Sequence, residues 1–351
     1  MRNAVIARDP VAQAAGLAVV GDGATAIDMV LAALLAGAAR SSAASLFGAA
    51  GILVAGVGAG THFIDGRARA PGIGEKRPKA PDDTSDRWTA AVPGLLEGVL
   101  AAHARFGTKP LSEIVRAAVG AVREGGTDKA LDARLKFLMQ LHRTGISAME
   151  RGGILQGVLN TVGPATGGVF TKSDLVPVPA MVREMPMCTD GENEVLLPPR
   201  TSGRYGPNPP EALPSLPVES AIAVDMHGVI AVASWVVAPT ATTLEGIYGL
   251  ALPALLPPPR KGVPRWRPGE PLPVALPMAV LLNDSKAWGA VALCGRGALV
   301  AARDAVVQAR LATAGVKLAL GDGGDATTSS DTVALWALRD GDEARTTISA
   351  V

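Results

Sequence analysis

Short apolar runs broken by glycine set the rhythm of the first sixty residues. Val5 to Arg8 suits a short strand, and the Ala-rich run Val11 to Val20 a helix that Gly21 and Gly23 interrupt. Asp28 to Ala39 is apolar almost throughout. Its shortness and its one carboxylate predict a buried helix rather than a membrane span. Gly51 to Val57 and Thr61 to Asp65 read as two strands joined at Gly58-Ala59-Gly60, a hairpin, and Arg77 to Asp86 is a polar, proline-marked loop. Val92-Pro93-Gly94 leads into a helix from Leu95 to Phe106, followed by helices over Pro110 to Glu124, with Ser112 as a cap, and over Asp128 to His142. Thr171 to Leu175 has the form of a capped turn, and Val182 to Met187 and Glu194 to Leu197 are strand candidates.

The periodicity stops in PPRTSGRYGPNPPEALPSLP, Pro198 to Pro217, a proline-dense linker. Strands dominate after it: Ala221 to Val224, Val229 to Ser234, Val274 to Leu282, Trp288 to Leu293 and Thr332 to Leu338, with a helix over Val300 to Ala312. Strand-rich sheets flanked by helices are the expected architecture. The domain expectation is a single unit over 1–351, with halves 1–200 and 218–351 around the linker 201–217.

Composition narrows the function classes. Apolar residues are 48% of the 351 and aromatics only 3%, so the core must be closely packed Ala, Val, Leu and Gly. A net charge of +1 with dispersed signs gives no nucleic-acid footprint. The scattered His62, His103, His142 and His227 and two cysteines give no metal spacing, so no metal and no cofactor is expected. The N-terminus lacks a secretory pattern; a cytoplasmic protein with no membrane partner is the expectation.

Several segments, in one order, carry a resemblance. PVAQAAGLAVVGDGATAIDMVLAALLAG, SLFGAAGILVAG, FIDGRARAP, AAVPGLLEGVLAAHARFGTKPLSEIVRAAVGAVREGG, GGVFTKSDL and LLPPRTSGR are similar to successive motifs of the gamma-glutamyltransferase family of N-terminal nucleophile hydrolases. The resemblance spans nearly the whole chain in shortened form. It implies an α+β fold, a four-layer αββα sandwich, and attack on a gamma-glutamyl amide by a threonine that self-cleavage exposes, its freed amine serving as base. A small carboxylate or amide is the implied ligand, and a second copy or an active paralogue a possible partner.

Aligned on Asp225 and Gly228, the threonine position is Val218, which has no nucleophilic atom. The hydroxyl clusters of the family fall on Ser234-Trp235-Val236-Val237-Ala238 and Val274-Ala275-Leu276, and both are largely apolar here. Arg67 stands where the family clamps the α-carboxylate of glutamate, or else solvates a turn with Arg69. Gly295 and Gly297, in CGRGA, occupy the place of the oxyanion loop, or form a tight turn. Ser220 is the nearest hydroxyl to the lost threonine and shares its strand face, as a shifted nucleophile or a plain strand serine. Cys294 beside Arg296 is either a thiol of lowered pKa or an inert buried cysteine. Two functions follow: an amidohydrolase or acyltransferase with a shifted nucleophile, or an inactive member that binds or pairs.

Overall fold

The computed structural model describes residues 3–21, 23–41, 44–56, 58–74, 86–148, 153–176, 180–184, 188–190, 193–198, 216–244, 247–256, 266–272, 274, 276–283, 286–295, 332–340 and 343–350. The first half runs β1 (Ala4–Ala7), α1 (Pro10–Ala18), α2 (Ala26–Ser41), β2 (Ala50–Gly56), β3 (Gly60–Gly66), α3 (Leu95–Phe106), α4 (Leu111–Glu124), α5 (Lys129–Thr144), α6 (Ile154–Val162), β4 (Met181–Glu184), β5 (Cys188–Asp190) and β6 (Asn193–Leu196). The second half is all strand among the described residues: β7 (Val218–Val224), β8 (Ile230–Val236), β9 (Thr240–Thr243), β10 (Ala251–Pro253), β11 (Met278–Asn283), β12 (Lys286–Gly295), β13 (Thr332–Asp340) and β14 (Glu343–Ala350).

Twelve strands form one antiparallel sheet that curls back on itself. One limb is β4-β3-β2-β8-β7-β1 and the other β5-β6-β11-β12-β13-β14, and they join where Val218 of β7 pairs with Gly295 of β12. Strand alternation sorts the side chains. Ala221 and Ala223 of β7 face the helices, whereas Ile222 and Val224 meet Met278, Val280, Ala290 and Leu335 of the other limb. Helices thus cover one face of the first limb and the second limb covers its other face. A fourth layer is not among the described residues, and the helix expected over Val300 to Ala312 lies outside them, as does the linker up to residue 215.

Helix α2 is central because its side chains are small. Every residue from Ala26 to Ala39 is buried, and Gly37 lets the helix ride on Trp235 of β8, since a Cβ there would stand 2.4 Å from the indole Cζ2. Its amino end is held by two buried carboxylates. Asp225, in the β7–β8 turn, accepts from the Ala26 N–H at 3.1 Å and from the N–H groups of His227 and Val229. Asp28 accepts from Thr25, from the Thr108 hydroxyl at 2.8 Å and N–H at 3.2 Å, and from the Lys109 N–H. A third carboxylate, Asp174, closes the expected capped turn in a capping box with Thr171 and ties it to Gly72 and Ile73.

Several elements depart from the sequence reading, β5 among them. β11 begins at Met278 and not at Val274, because Pro277 has no N–H to give and instead accepts from Leu293. Helix α6, interrupted by Gly157, and the polar edge strand β14 were not predicted. The pair β9–β10 is a further addition, its turn carrying Tyr248 at positive φ against α5, where the phenol donates to Gln140.

The buried network at the start of α2 makes a direct prediction. Asp28→Ala leaves Thr108 and Lys109 N–H groups without their acceptor and is expected to cost about 3 kcal/mol in urea denaturation. Asp132→Ala, at a site 39% exposed, should change stability by less than about 0.5 kcal/mol. Equal effects would refute the weight given to Asp28.

Candidate active site

The start of β7 is where the sequence directs attention. Val218 is fully buried, paired with Val236 of β8 on one side and Gly295 of β12 on the other. It packs with Leu281, Val291, Leu293 and Trp336, an aliphatic and aromatic setting. Two residues on, Ser220 is also fully buried, inside the strand rather than at its edge. Its hydroxyl lies 2.8 Å from that of Ser234, its cross-strand partner, and 3.4 Å from the Leu293 carbonyl. Both hydroxyls are thereby satisfied, and among the described residues neither bonds to a base.

Cys294 is buried against the same serine. Burial pushes its thiol up to about 12, with Glu219 adding to the rise and hydrogen bonds from Ser220 opposing it. Its burial is what an unreactive core cysteine shows; Arg296 lies outside the described residues. Gly295, with φ of 106°, ends β12 between Val218 and Thr332, and Gly297 lies outside the described residues. Ser220, Cys294 and Gly295 therefore meet at the junction of the two limbs.

Glu219, between Val218 and Ser220, points to the opposite face and lies 3.5 Å from Arg8. Burial pushes its carboxyl up to about 7 from 4.5; Arg8 opposes this and Asp9 adds to it. The ion pair does not win because Arg8 is itself 38% exposed, so water dilutes its pull.

Arg67 follows β3. Its Nε donates to Asp65 Oδ1 at 2.8 Å and its Nη2 to Oδ2 at 2.5 Å, and the pair is almost fully buried. The arginine thus comes already matched to an acid, which a solvated turn residue would not be. Its backbone is covered by Gly94 of the Val-Pro-Gly motif, where a Cβ would fall 2.2 Å from the Arg67 carbonyl oxygen. Ala68 and Ala70 fill an apolar cluster with Val236, Ala238, Trp266 and Leu272, and Val274 packs against it. The sequence reading assigned Val236, Ala238 and Val274 to positions where hydroxyl clusters are largely lost, and all three lie in or against this apolar cluster. Sequence reasoning missed the roles of Asp65, Glu97 and Glu219. The Asp65-x-Arg67-x-Arg69 alternation was the available signal for the first. Among the described residues no three His, Cys, Asp or Glu side chains gather as a metal-binding group, and none of their helices is long and apolar enough to cross a membrane.

Helices on a curled antiparallel sheet give the chain the fold shared by acylases of the N-terminal nucleophile hydrolase type, as the sequence resemblance implied. Cephalosporin acylase from Bacillus halodurans has a similar structure, with a TM-score of 0.62 over 99% of this chain and 94% of that one at 12% identity. The structure of LmbA2991 gives a TM-score of 0.65 over 99% of this chain and 96% of that one at 14% identity. In sequence, the chain is 34% identical to the acylase ACY 1 proenzyme of a Pseudomonas species over 145 residues, 35% of this chain. That match spans 25% of the proenzyme's length. No protein-family model matches the chain.

The raised Glu219 carboxyl predicts a pH dependence. A folded-state value above the unfolded one means the native state holds the proton more tightly. The stability from this group is therefore full below about pH 4.5 and is lost as pH rises through about 7. Glu219→Gln, which cannot ionise, should gain on the wild type between about pH 5 and pH 8.5 by on the order of 1–2 kcal/mol in urea melts. A gap of the same size at both pH values would show that the carboxyl is not held neutral.

Proposed function

We propose that this chain is an acylase-type and gamma-glutamyltransferase-type fold kept for binding a small amide or carboxylate, without self-cleavage at β7. The observation that carries this reading is Val218: an aliphatic side chain, fully buried, at the position where such an enzyme would need a hydroxyl on a freed terminus. The apolar cluster of Val236, Ala238 and Val274 in place of hydroxyls supports it further. Loss of a covalent nucleophile alone removes several orders of magnitude in rate. As a non-cleaving relative the protein serves as a binding or partner subunit, in the cytoplasm. The reading includes the four-layer sandwich of the superfamily: Ala279, Leu281, Val291, Leu293 and Trp336 are buried on the outer face of the second limb, as a covering layer would leave them.

A second reading, amide hydrolysis or acyl transfer from a shifted nucleophile, is favoured by the paired hydroxyls of Ser220 and Ser234 on the face that Val218 shares, and by the partial likeness to an acylase precursor. Intact-mass analysis separates the two. One species near 35.6 kDa with no turnover of a gamma-glutamyl anilide is expected. Two fragments meeting between Val218 and Ser220, with turnover lost in Ser220→Ala and in Arg67→Ala, would overturn the first reading in favour of the second.

A further inference from the structure

One buried donor in the helix-side core lacks an acceptor. Among the described residues the indole Nε1 of Trp235 has no hydrogen-bond partner, although the residue is only 1% exposed. A buried N–H in this state costs about as much as a lost hydrogen bond. Directly across from Trp235 on β7 stands Glu219. Side chains of such a cross-strand pair share a face, with β-carbons about 5 Å apart, within the reach of a glutamate carboxyl and an indole edge.

Glu219 has a different neighbour on its other side. β7 lies between β8 and β1, so Trp235 flanks the glutamate on one side and the end of β1 on the other. Its carboxyl is turned to the β1 side, where Oε1 lies 3.5 Å from Arg8 at a partly wet edge. The other ionisable groups at this seam are Asp9, Arg40 and the Cys294 thiol of β12. Asp9 caps α1 at the Val11 N–H and lies 3.4 Å from Arg40, in the last turn of α2. The two positions open to Glu219 suit different protonation states. A carboxylate stays at the edge with Arg8, because moving to the indole would cost it water and its cation for one N–H. A neutral carboxyl has no charge to bury, and it can offer its carbonyl oxygen to the indole while its O–H stays toward water.

We propose that Glu219 is a two-position switch worked by a proton: ionised, it holds Arg8; protonated, it turns from Arg8 to the indole of Trp235. Taking a proton from water satisfies the buried N–H and releases the arginine, and giving that proton back returns the carboxylate to Arg8. Burial of the carboxyl sets the change at about pH 7. Arg8 leads directly into the Asp9 cap of α1, and Val218 precedes Glu219 on β7. The switch therefore ties the seam between β1, α1 and the start of β7 to pH across neutrality, independently of what the fold binds.

Nuclear magnetic resonance of the full chain with isotope-labelled tryptophan reads the switch, since the five tryptophans give five indole N–H signals. The Trp235 signal should move downfield on acidification, as an N–H does on gaining an acceptor, with a midpoint near 7. Glu219→Gln, whose amide oxygen is neutral at every pH, should hold that signal at its acid position throughout. Trp235→Phe identifies the signal by its loss; if that variant does not fold, the signal is the one whose movement Glu219→Gln abolishes. Trp235→Phe should also lower the midpoint of the Glu219 carboxyl carbon signal by roughly 0.5–1 pH unit, the worth of one hydrogen bond. Arg8→Gln should raise that midpoint. The proposal is overturned if no indole signal moves around neutrality, or if the moving one moves equally in Glu219→Gln. A carboxyl midpoint in Trp235→Phe no lower than in the wild type overturns it as well.

Discussion

The amino end of α2 is the point on which the rest of the molecule is hung. Asp225 comes from the second half of the chain and accepts the Ala26 N–H, while Asp28 gathers the Thr108 and Lys109 backbone. A carboxylate in such a place is tolerated only because N–H and O–H groups replace its water, and the helix end adds its own field. One turn of helix thereby fixes the β7–β8 hairpin, the helix α2 and the loop after α3 relative to one another. The position of Val218, six residues before the end of β7, follows from that anchoring and from pairing with β8.

The sequence made the helices and most central strands legible because their signals are local: glycine breaks, Val-Pro-Gly, and apolar spacing over whole turns. Asp28 and the Thr171 to Asp174 turn could also be placed, since each sits in a short motif. What escaped were elements whose stability comes from contact at a distance. β14 reads EARTTISA, whose alternate positions Ala344, Thr346 and Ile348 make only a weak apolar face, and it is a strand because β13 offers it an edge. β9 and β10 are short, and what holds them is Leu244, Leu250 and Leu252 in the helix-side core. The site was legible in the same uneven way. Alignment on Asp225 and Gly228 singled out Val218 and Ser220, and the CGRGA segment Gly295, but their meeting at the junction of the limbs required the fold, as did the acid partners of Arg67 and Arg69, because Glu97 is 28 residues from Arg69.

Chemistry at the limb junction is governed by what surrounds each polar atom. Ser220 and Ser234 satisfy one another, Cys294 is held as a thiol by its burial, and Glu219 is held near neutrality by the same cause on the helix side. Among the described residues only Glu219 has a charged partner in hydrogen-bond range, the half-exposed Arg8. Around Arg67 the balance is the reverse. Arg67, Arg69 and Asp65 are buried and Glu97 half-buried, and the cost of burying them is offset only where each charge finds its counterpart.

A shifted nucleophile would have to overcome the register of β7. A slip by one residue would bring Glu219 onto the face of Val218 and drive a carboxyl into the aliphatic cluster of Leu281 and Leu293, while turning Ile222 and Val224 out of the packing between the limbs. A slip by two would keep the faces but pull Asp225 away from Ala26 and leave the first turn of α2 without its acceptor. Freeing Ser220 by peptide cleavage instead would detach Val218 from both Val236 and Gly295, and that pairing is what joins β7 to β12. The same contacts that hold the two limbs together are therefore the ones that a working nucleophile at Ser220 would have to give up.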